Sequence, residues 1–431
     1  MTENVKENHR PMKLWRLLSS QNPLLPRSAY ARAILALVYL GFATGLYAIA
    51  AIFIHGPELL EATDYIPWGI NISTYIFFVL TSSGLCFVAS LGHVFQIEGY
   101  EAIGKRAVYL AIVTMLAGFV ALIPDIGRPE RMIFYLLTPN FSSLMWWMGV
   151  FYGLELAFIV VEFLLLQKGA LGGAKIMGVG ALISALFAVT TVGGIFGVVM
   201  ARPFYFGAFT PLYFLLTAFL SGLAAISLAS IVTSWATGKV LDPMVSGTIS
   251  QLAKLLTLVL GIALIFTAWK MLVGLYAPAD EYRGAFTQVT GHWMWQAEVL
   301  VGLVVPFVLV ALAVYLKARA VPITLIASSL VLAGLFIGRL DLVIAGQALP
   351  LKALRAPELS VYVPSTAEVL NIVAAIAFCG LLYGFGERFL QLAHHDVSHE
   401  EREAADAVPY YLPRAVSPQV MQAARQARAD D

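Results

Sequence analysis

The chain has 431 residues, of which 60% are hydrophobic and only 12% are charged, and its formal net charge is +1. Soluble domains carry about 25% charged residues on average, so this composition excludes an ordinary soluble domain and predicts a polytopic membrane protein. The near-neutral charge is uninformative about partners such as nucleic acid, and we expect none. Two cysteines, Cys86 and Cys379, cannot supply an all-cysteine iron–sulfur cluster or zinc site.

Apolar windows of about 20 residues predict ten membrane-spanning helices and an all-α fold. The ten spans lie near residues 30–55, 67–95, 106–124, 142–166, 173–200, 211–237, 247–274, 293–316, 321–345 and 365–386. The seventh and ninth have the least defined boundaries, because they carry Lys254, Lys270, Arg339 and Asp341 in or beside apolar sequence.

The lysines and arginines predict the orientation of the chain. The basic residues on the side of the N-terminal tail are Lys6, Arg10, Lys13, Arg16, Arg27, Lys105, Arg106, Lys168, Lys175, Lys239, Lys317 and Arg319. The first loop on the other side, 56–65, has none. Basic loops remain in the cytoplasm, so both termini are expected there. Segments 125–141, 275–292 and 346–363 then form an extracytoplasmic face.

Two pairs of spans share residues at a constant offset. Between the second and sixth spans, Tyr75 matches Tyr213 and Ser83-Gly84-Leu85 matches Ser221-Gly222-Leu223. Between the fourth and eighth spans, Met145-Trp146 matches Met294-Trp295, Gly153-Leu154 matches Gly302-Leu303 and Phe158 matches Phe307. The paired spans run in the same direction, which indicates a parallel repeat. Chance matching of apolar helices is the alternative explanation.

The repeat predicts two four-helix bundles of the same topology, formed by spans two to five and six to nine. The predicted divisions are an N-terminal tail (1–29), the first span with its outer loop (30–66), the first bundle (67–205), the second bundle (206–345), an outer loop with the last span (346–390) and a C-terminal tail (391–431).

A group of polar residues is predicted at one depth of the first bundle, near the extracytoplasmic face. Its members are Asn71, Tyr75, Asp125, Arg128, Thr191 and Arg202. Such a set suits an apolar slot for a neutral ligand with a carbonyl group at each end. The alternatives are an aromatic belt with arginines that reach the headgroups, and an Asp125–Arg128 ion pair that only caps a helix end.

Further ionisable residues lie within the apolar spans and are candidates for a proton path. They are Glu155, Glu298, Lys270 and Glu368. Polar pairs that only hold helices together are an equally good interpretation. His93 and His292 are expected at opposite faces, which argues against a bis-histidine haem between them.

Several of these residues lie in motifs that resemble a known family. The run Asp125-Ile126-Gly127-Arg128-Pro129, with Thr138-Pro139, Ser142-Ser143 and Trp146-Trp147 after it, resembles the NrfD/PsrC-type membrane subunits, as do Pro67-Trp68-Gly69 and Ala201-Arg202-Pro203. Tyr362, Pro364-Ser365 and Glu368 resemble the ten-helix branch that includes HybB, DsrP and the large membrane subunits of alternative complex III. The resemblance covers roughly residues 30–390.

The resemblance implies a subunit of a respiratory complex in a bacterial or archaeal cytoplasmic membrane. Its substrate would be a quinone, menaquinone or ubiquinone, and its own chain would hold no haem or iron–sulfur cluster. The implied partners are a ferredoxin-like iron–sulfur subunit, a catalytic subunit (molybdopterin enzyme, hydrogenase or multihaem cytochrome) and membrane lipid. Proton translocation is left open.

The resemblance also implies roles for individual residues. The quinone-site histidine of the eight-helix branch corresponds to Tyr75 here, and its asparagine to a position near Asn71 or Ile72. A phenol does not titrate near neutrality as imidazole does. Asp125 is therefore the expected proton relay, and Arg128 is expected to stabilise the anionic form of the reduced quinone.

Two other functions are compatible with the sequence. A secondary transporter would also have two bundles and buried charges, but transporters commonly have helices broken in mid-membrane. A passive anchor for a peripheral enzyme would need no convergent polar residues near one face.

Overall fold

The structure, a computed structural model, describes residues 29–237, 243–316, 320–348, 362–390 and 392. Most of both predicted tails and most of segment 346–363 lie outside these ranges. So do many of the residues that predict the orientation: Lys6, Arg10, Lys13, Arg16, Arg27, Lys239, Lys317 and Arg319. The orientation of the termini therefore stays a prediction.

Ten of the described helices are long and apolar enough to cross a membrane, and the described ranges contain no strand. The predicted fold class is thereby confirmed. In chain order the helices are α1 (Ala29–His55), α2 (Ile70–His93), α3 (Glu101–Ile126), α4 (Leu144–Gln167), α5 (Leu171–Gly197), α6 (Phe209–Thr237), α7 (Pro243–Leu275), α8 (Trp293–Ala297, Glu298–Val304 and Val305–Tyr315), α9 (Ala320–Leu340, Asp341–Ala345 and Gly346–Ala348) and α10 (Thr366–Phe389).

Short helices lie between some of these spans. Pro129 begins a 3-10 turn, Pro129–Arg131, which continues into the helix Met132–Leu137. This agrees with the role expected for Pro129, since proline has no N–H to leave unpaired at a helix start. The other short helices are Pro57–Leu59, between α1 and α2, and Asp280–Gly291, between α7 and α8.

The end of α3 differs from the predicted boundary at residue 124. The helix continues to Ile126, so Asp125 lies in its last turn and not in the following loop. Gly127 then stops the helix with φ +66° and ψ −45°. Its neighbours close a three-residue γ-turn, in which the Arg128 N–H donates to the Ile126 carbonyl at 2.7 Å. This backbone conformation favours glycine.

Helices α2 and α6 contact each other at the two glycines that the repeat matches. A Cβ atom added to Gly84 would lie 1.8 Å from the Ala218 carbonyl oxygen, and one added to Gly222 would lie 2.1 Å from the Gly84 carbonyl carbon. Only glycine allows the two backbones to approach this closely, which is how small residues drive helix association in membranes.

Helices α1 and α10 pack together beside α2 and α3. A Cβ atom on Gly45 in α1 would meet the Ala374 Cβ atom in α10 at 2.2 Å. At the other end of α10, Arg106 of α3 contacts Glu387 through both carboxylate oxygens, at 2.6 and 3.2 Å. This contact fixes α10 against α3. The division into two four-helix bundles with flanking spans stays a prediction.

Candidate functional site

Asp125 and Asn71 meet where α3 ends and α2 begins. The Asn71 Nδ2 atom donates to Asp125 Oδ1 at 3.3 Å, and Asn71 is completely buried. The second carboxylate oxygen, Asp125 Oδ2, is buried and has no hydrogen-bond partner among the described residues. Asn371 Oδ1, in the neighbouring α10, is buried and unpaired among them as well. Buried polar atoms are nearly always paired, and of these two oxygens only the carboxylate oxygen of Asp125 belongs to an acid–base group. We call this end of the protein the Asp125 end.

A second asparagine fixes the orientation of the first. The Asn371 Nδ2 atom in α10 donates to Asn71 Oδ1 at 3.1 Å and to the Ala121 carbonyl at 3.0 Å. A carbonyl oxygen can only accept, so the Asn371 amide has one orientation, and Asn71 is left with its nitrogen directed towards Asp125. The three side chains form a relay across α10, α2 and α3.

Tyr362 and Glu368 join the start of α10 to the start of α2. The Tyr362 hydroxyl donates to Glu368 Oε1 at 2.8 Å and accepts from the Ile70 N–H at 3.0 Å. Burial raises the pKa of Tyr362 well above its ordinary value, and the nearby Glu368 carboxylate adds to the effect. The hydroxyl therefore stays protonated and keeps its hydrogen bond to Glu368.

The other polar residue of this motif, Ser365, caps α10. Its hydroxyl accepts from the Glu368 N–H at 3.1 Å, and Glu368 Oε2 accepts from the Ser365 N–H at 2.8 Å, which completes a capping box. The Ser365 hydroxyl also donates to the Leu59 carbonyl at 2.7 Å. The Tyr-x-Pro-Ser-x-x-Glu motif is thus a clasp over the Asp125 end, and the Glu368 carboxylate is close enough to Asp125 to act on it electrostatically.

Gly69, the third residue of Pro67-Trp68-Gly69, leaves room for this clasp. A Cβ atom added at Gly69 would lie 2.5 Å from the Tyr362 hydroxyl and 3.0 Å from Glu368 Oε1. Both backbone groups of the neighbouring Trp68 are hydrogen-bonded to the Gln347 side chain. Gln347 Oε1 accepts from the Trp68 N–H at 3.2 Å, and Gln347 Nε2 donates to the Trp68 carbonyl at 2.9 Å. The start of α2 is therefore held by both α10 and the end of α9.

Arg128 is exposed to solvent three residues beyond Asp125. Within the described residues it forms no ion pair and its guanidinium makes no hydrogen bond. An Asp125–Arg128 pair that only caps α3 is therefore not formed here. The γ-turn at Gly127 leads the chain away from α3 and leaves the Arg128 guanidinium free at the edge of the site.

Residues 58–350 match the family described as "Polysulphide reductase, NrfD". This match covers more than half of the chain and includes the α2 and α3 residues of the site. The chain belongs to the NrfD family. The predicted family is confirmed; the Gly-Arg-Pro motif lies within the matched residues, and the α10 clasp lies just beyond them.

Three similar proteins align with more than half of this chain. A selenate reductase subunit of Mesobacillus selenatarsenatis is 27% identical over 301 residues, which cover 60% of this chain and 70% of the relative. The Hdr-like menaquinol oxidoreductase integral membrane subunit of Archaeoglobus fulgidus is 25% identical over 82% of this chain and 92% of its own. The integral membrane subunit of menaquinone reductase from Nitratidesulfovibrio vulgaris is 24% identical over 83% of this chain and 91% of its own.

Two members of the predicted quinone-binding set lie apart from the relay. Tyr75 is one helical turn deeper than Asn71, is buried, and packs edge-on against Tyr152 with ring centroids 6.5 Å apart. Thr191 is half-buried in α5, and among the described residues no hydrogen bond joins it to Asn71 or Asp125. Their roles stay predictions.

Arg202, also in the predicted set, binds backbone carbonyls at the Asp125 end. Its guanidinium donates to the carbonyls of Gly346 at 3.5 Å, Gln347, and Tyr65 at 3.4 Å. These contacts stabilise the end of α9 and the segment that leads into Trp68, which is a supporting function for the start of α2. A role of Arg202 towards the ligand stays a prediction.

The four residues of the predicted proton path lie at three separate sites in the structure. Glu368 belongs to the clasp. Glu155 is completely buried in α4 and accepts from the Ser83 hydroxyl at 2.8 Å, with Oε1 unpaired among the described residues. Lys270 and Glu298 line a separate cavity between α6, α7, α8 and α9. The prediction that they form one path stays untested.

Asn371 and Gln347 are two functional candidates that sequence reasoning missed. Asn371 follows Glu368 by three residues, a spacing that puts both side chains on one helical face. An asparagine at that spacing within an apolar span was the available signal. Gln347 gives no comparable signal, because its contact with Trp68 joins residues 279 positions apart.

Proposed function

We propose that this chain is the membrane subunit of a respiratory redox complex, in which it exchanges electrons and protons between quinone or quinol and a docked iron–sulfur subunit. Membership of the NrfD family supports the proposal. So do the names of two relatives, a menaquinol oxidoreductase subunit and a menaquinone reductase subunit. Menaquinone is accordingly the first candidate substrate and ubiquinone the second.

The observation that carries the proposal is the unpaired oxygen of Asp125. Conversion between quinone and quinol moves two protons as well as two electrons, so a quinone site needs a group that exchanges protons with the ligand oxygen. Asp125 Oδ2 is buried and unpaired among the described residues, while Oδ1 is held by Asn71. A carboxylate fixed through one oxygen and free at the other fits a general acid–base.

The neighbouring residues have distinct parts in this proposal. Asn71 and Asn371 orient the carboxylate, since their amides form the relay that ends on Asp125 Oδ1. Arg128 at the edge of the site attracts the negative charge of the reduced ligand. Tyr75, Thr191 and Arg202 remain proposed members of the apolar slot.

The partners and orientation belong to the same proposal. A selenate reductase subunit and a menaquinone reductase membrane subunit among the relatives support a catalytic partner subunit, with a ferredoxin-like iron–sulfur subunit between it and the membrane. We place this partner on the Asp125 end. That end is extracytoplasmic if both termini are cytoplasmic, as the basic loops predict.

The test is isolation of the intact complex from native membranes through a tag on this chain. We expect an iron–sulfur subunit, a catalytic subunit and bound quinone to co-purify, and the complex to transfer electrons between a soluble quinol analogue and the acceptor of its catalytic subunit. Isolation of the chain alone, without quinone and without such activity, would contradict the proposal and favour a transporter.

Arg128→Ala tests the charge at the edge of the site. We expect quinone-coupled turnover to fall about tenfold or more, because hydrogen bonds to charged groups contribute about 1.5–3 kcal/mol. The matched control is Arg131→Ala, an exposed arginine in the next turn, which should keep wild-type turnover. Steady-state kinetics with a quinol analogue give the result, and equal effects of the two substitutions would remove Arg128 from the site.

A further inference from the structure

One glutamine at the end of α9 binds the backbone that leads into α2. Gln347 is only 5% exposed, and its side chain makes three hydrogen bonds. Its Oε1 atom accepts from the Trp68 N–H at 3.2 Å, and its Nε2 atom donates to the carbonyls of Trp68 at 2.9 Å and Val343 at 2.6 Å. A side-chain amide has two N–H donors and one acceptor oxygen. All three functions of the Gln347 amide are therefore used, and the amide has a single orientation.

The end of α9 that carries Gln347 is itself fixed to the rest of the chain. The Tyr205 hydroxyl donates to the Val343 carbonyl at 3.0 Å, and Arg202 donates to the carbonyls of Gly346 and Gln347. A Cβ atom added to Gly346 would lie 2.3 Å from Tyr205 Cε1, so this glycine leaves room for the tyrosine ring. Because the segment between α5 and α6 holds it in this way, Gln347 is a fixed point to which Trp68 is attached.

The side chain of Trp68 is held by α5. Its indole packs edge-on against the Phe196 ring, with centroids 5.5 Å apart. Phe196 is 2% exposed and contacts the rings of Tyr205 and Phe214, at 5.2 and 5.7 Å. The backbone of Trp68 is thus bound by α9 and its ring by α5, and both contacts come from outside α2.

Trp68 stands directly before the turn of α2 that holds Asp125. Only Gly69 and Ile70 separate it from Asn71, and the first helical hydrogen bonds already include Gly69, whose carbonyl accepts from the Ser73 N–H at 3.3 Å. The α10 clasp restrains this turn at one point, the Ile70 N–H. Gln347 restrains the chain that enters it at a second point. Two points are needed to fix the rotation of the turn as well as its position.

The contact between Asn71 and Asp125 tolerates little movement of this turn. The Asn71 Nδ2 and Asp125 Oδ1 atoms are 3.3 Å apart, just beyond the usual range of about 2.7–3.2 Å for such a hydrogen bond. A small further displacement would break it. Because reacting groups must be held within about 0.5 Å of their productive geometry, the position of the first turn of α2 decides whether Asp125 is correctly placed.

We propose that Gln347 is a positioning residue of the quinone site. It fixes Trp68 and with it the first turn of α2, which keeps Asn71 within reach of Asp125. Among the described residues the Gln347 side chain has no hydrogen bond to Asn71 or Asp125, so it acts through the backbone of Trp68. The inference rests on the proposed quinone function, since it names a determinant of that same site. It makes the geometry of the acid–base group depend on a residue of α9.

Gln347→Met removes the hydrogen bonds and keeps nearly the length of the side chain. The test is steady-state kinetics of the intact complex with a soluble quinol analogue as electron donor, expressed per assembled complex. We expect kcat to fall about tenfold or more, while the KM for the analogue stays within about threefold, because misplacement of a reacting group acts on the chemical step. The matched control is Gln296→Met, an exposed glutamine at the start of α8, which should keep the wild-type kcat.

Gln347→Glu gives a readout that a merely structural residue would not give. A carboxylate only accepts hydrogen bonds, whereas a protonated carboxyl group has one O–H donor and one acceptor oxygen. The protonated form therefore restores both bonds to Trp68. We expect the kcat of this variant, relative to wild type at the same pH, to approach that of wild type at low pH and that of Gln347→Met at high pH. Arg202 and Tyr205, which bind this end of α9, are present in every variant, so the ratio reports the introduced carboxyl group.

The outcomes separate this inference from the proposed function. A wild-type complex without quinone activity would refute the proposed function. With an active wild-type complex, a kcat of Gln347→Met equal to that of the Gln296→Met control would overturn the positioning role alone. So would a loss of assembled complex with unchanged kcat, because Gln347 would then only stabilise the fold. If Gln347→Met does not assemble, the pH dependence of Gln347→Glu decides the question, and a ratio independent of pH would overturn the inference.

Discussion

Asp125→Asn is expected to lower quinone-coupled turnover at least about 100-fold while the subunit still assembles, since general acid–base groups contribute about 10²–10⁴-fold. Asparagine has nearly the volume of aspartate and its oxygen can still accept from Asn71, so the relay at the ends of α2 and α3 persists. An amide cannot exchange the proton that the reaction requires. Turnover of the purified complex with a quinol analogue measures the loss, and size-exclusion chromatography confirms assembly.

The control for this substitution is Asp64→Asn. Asp64 lies in the loop between α1 and α2 and is exposed, so the change makes the same substitution of carboxylate by amide in a neighbouring segment without touching the relay. Asp64→Asn should keep wild-type turnover. Turnover of Asp125→Asn within a few-fold of that control would rule out Asp125 as the proton-exchanging group and leave it a structural residue of α3.

The ten spans were predictable because membrane helices must pair their own backbone groups and cover themselves with apolar side chains. Those two requirements are local, so hydropathy locates the helices within a few residues. The end of α3 shows where this reasoning stops. The predicted span ended at residue 124, before Asp125, yet the helix continues to Ile126 and Asp125 is held by Asn71 of α2.

The candidate site was predictable in part. Asn71 and Asp125 were assigned to one site from their predicted depth, and the structure joins them by a hydrogen bond. Asn371 was missed because its partners, Asn71 and the Ala121 carbonyl, are 300 and 250 positions away in the chain. Contacts over such distances depend on how α10 packs, and no local pattern specifies that packing.

The π segments in α8 and α9 could not be predicted either. Both begin at residues that hydropathy treats only as charges within an apolar run, Glu298 and Asp341. Glu298 at the start of the first segment accepts a hydrogen bond from Tyr213 of α6, a contact between helices that no local pattern specifies. The sequence thus indicates which residues are costly to bury, but the structure is needed to see that they share a cavity.

The repeat has a physical counterpart in the contact between α2 and α6. Gly84 and Gly222 occupy matching positions of the repeat, and each lies against the other's backbone. If the predicted repeat holds, two equivalent residues that touch lie close to the axis relating its two halves. A larger side chain at either glycine would therefore push α2 and α6 apart.

Gly84→Ala should destabilise the fold more than other small changes within the spans. The new Cβ atom would lie 1.8 Å from the Ala218 carbonyl oxygen, which is backbone and cannot move aside without displacing α6. Overpacking of this kind costs about 1–3 kcal/mol and occasionally more. We expect a lower thermal unfolding midpoint and a smaller monodisperse fraction after extraction in detergent.

Gly153→Ala is the matched control, because Gly153 lies in the middle of α4 and an added Cβ atom meets no other atom within 4 Å. Alanine favours a helix by about 1 kcal/mol relative to glycine, so this variant should be as stable as wild type or slightly more stable. The same gain in helix propensity applies at Gly84, and the difference between the two variants therefore reports the contact with α6 alone. Equal unfolding midpoints for the two alanine variants would show that α2 and α6 are not in close backbone contact.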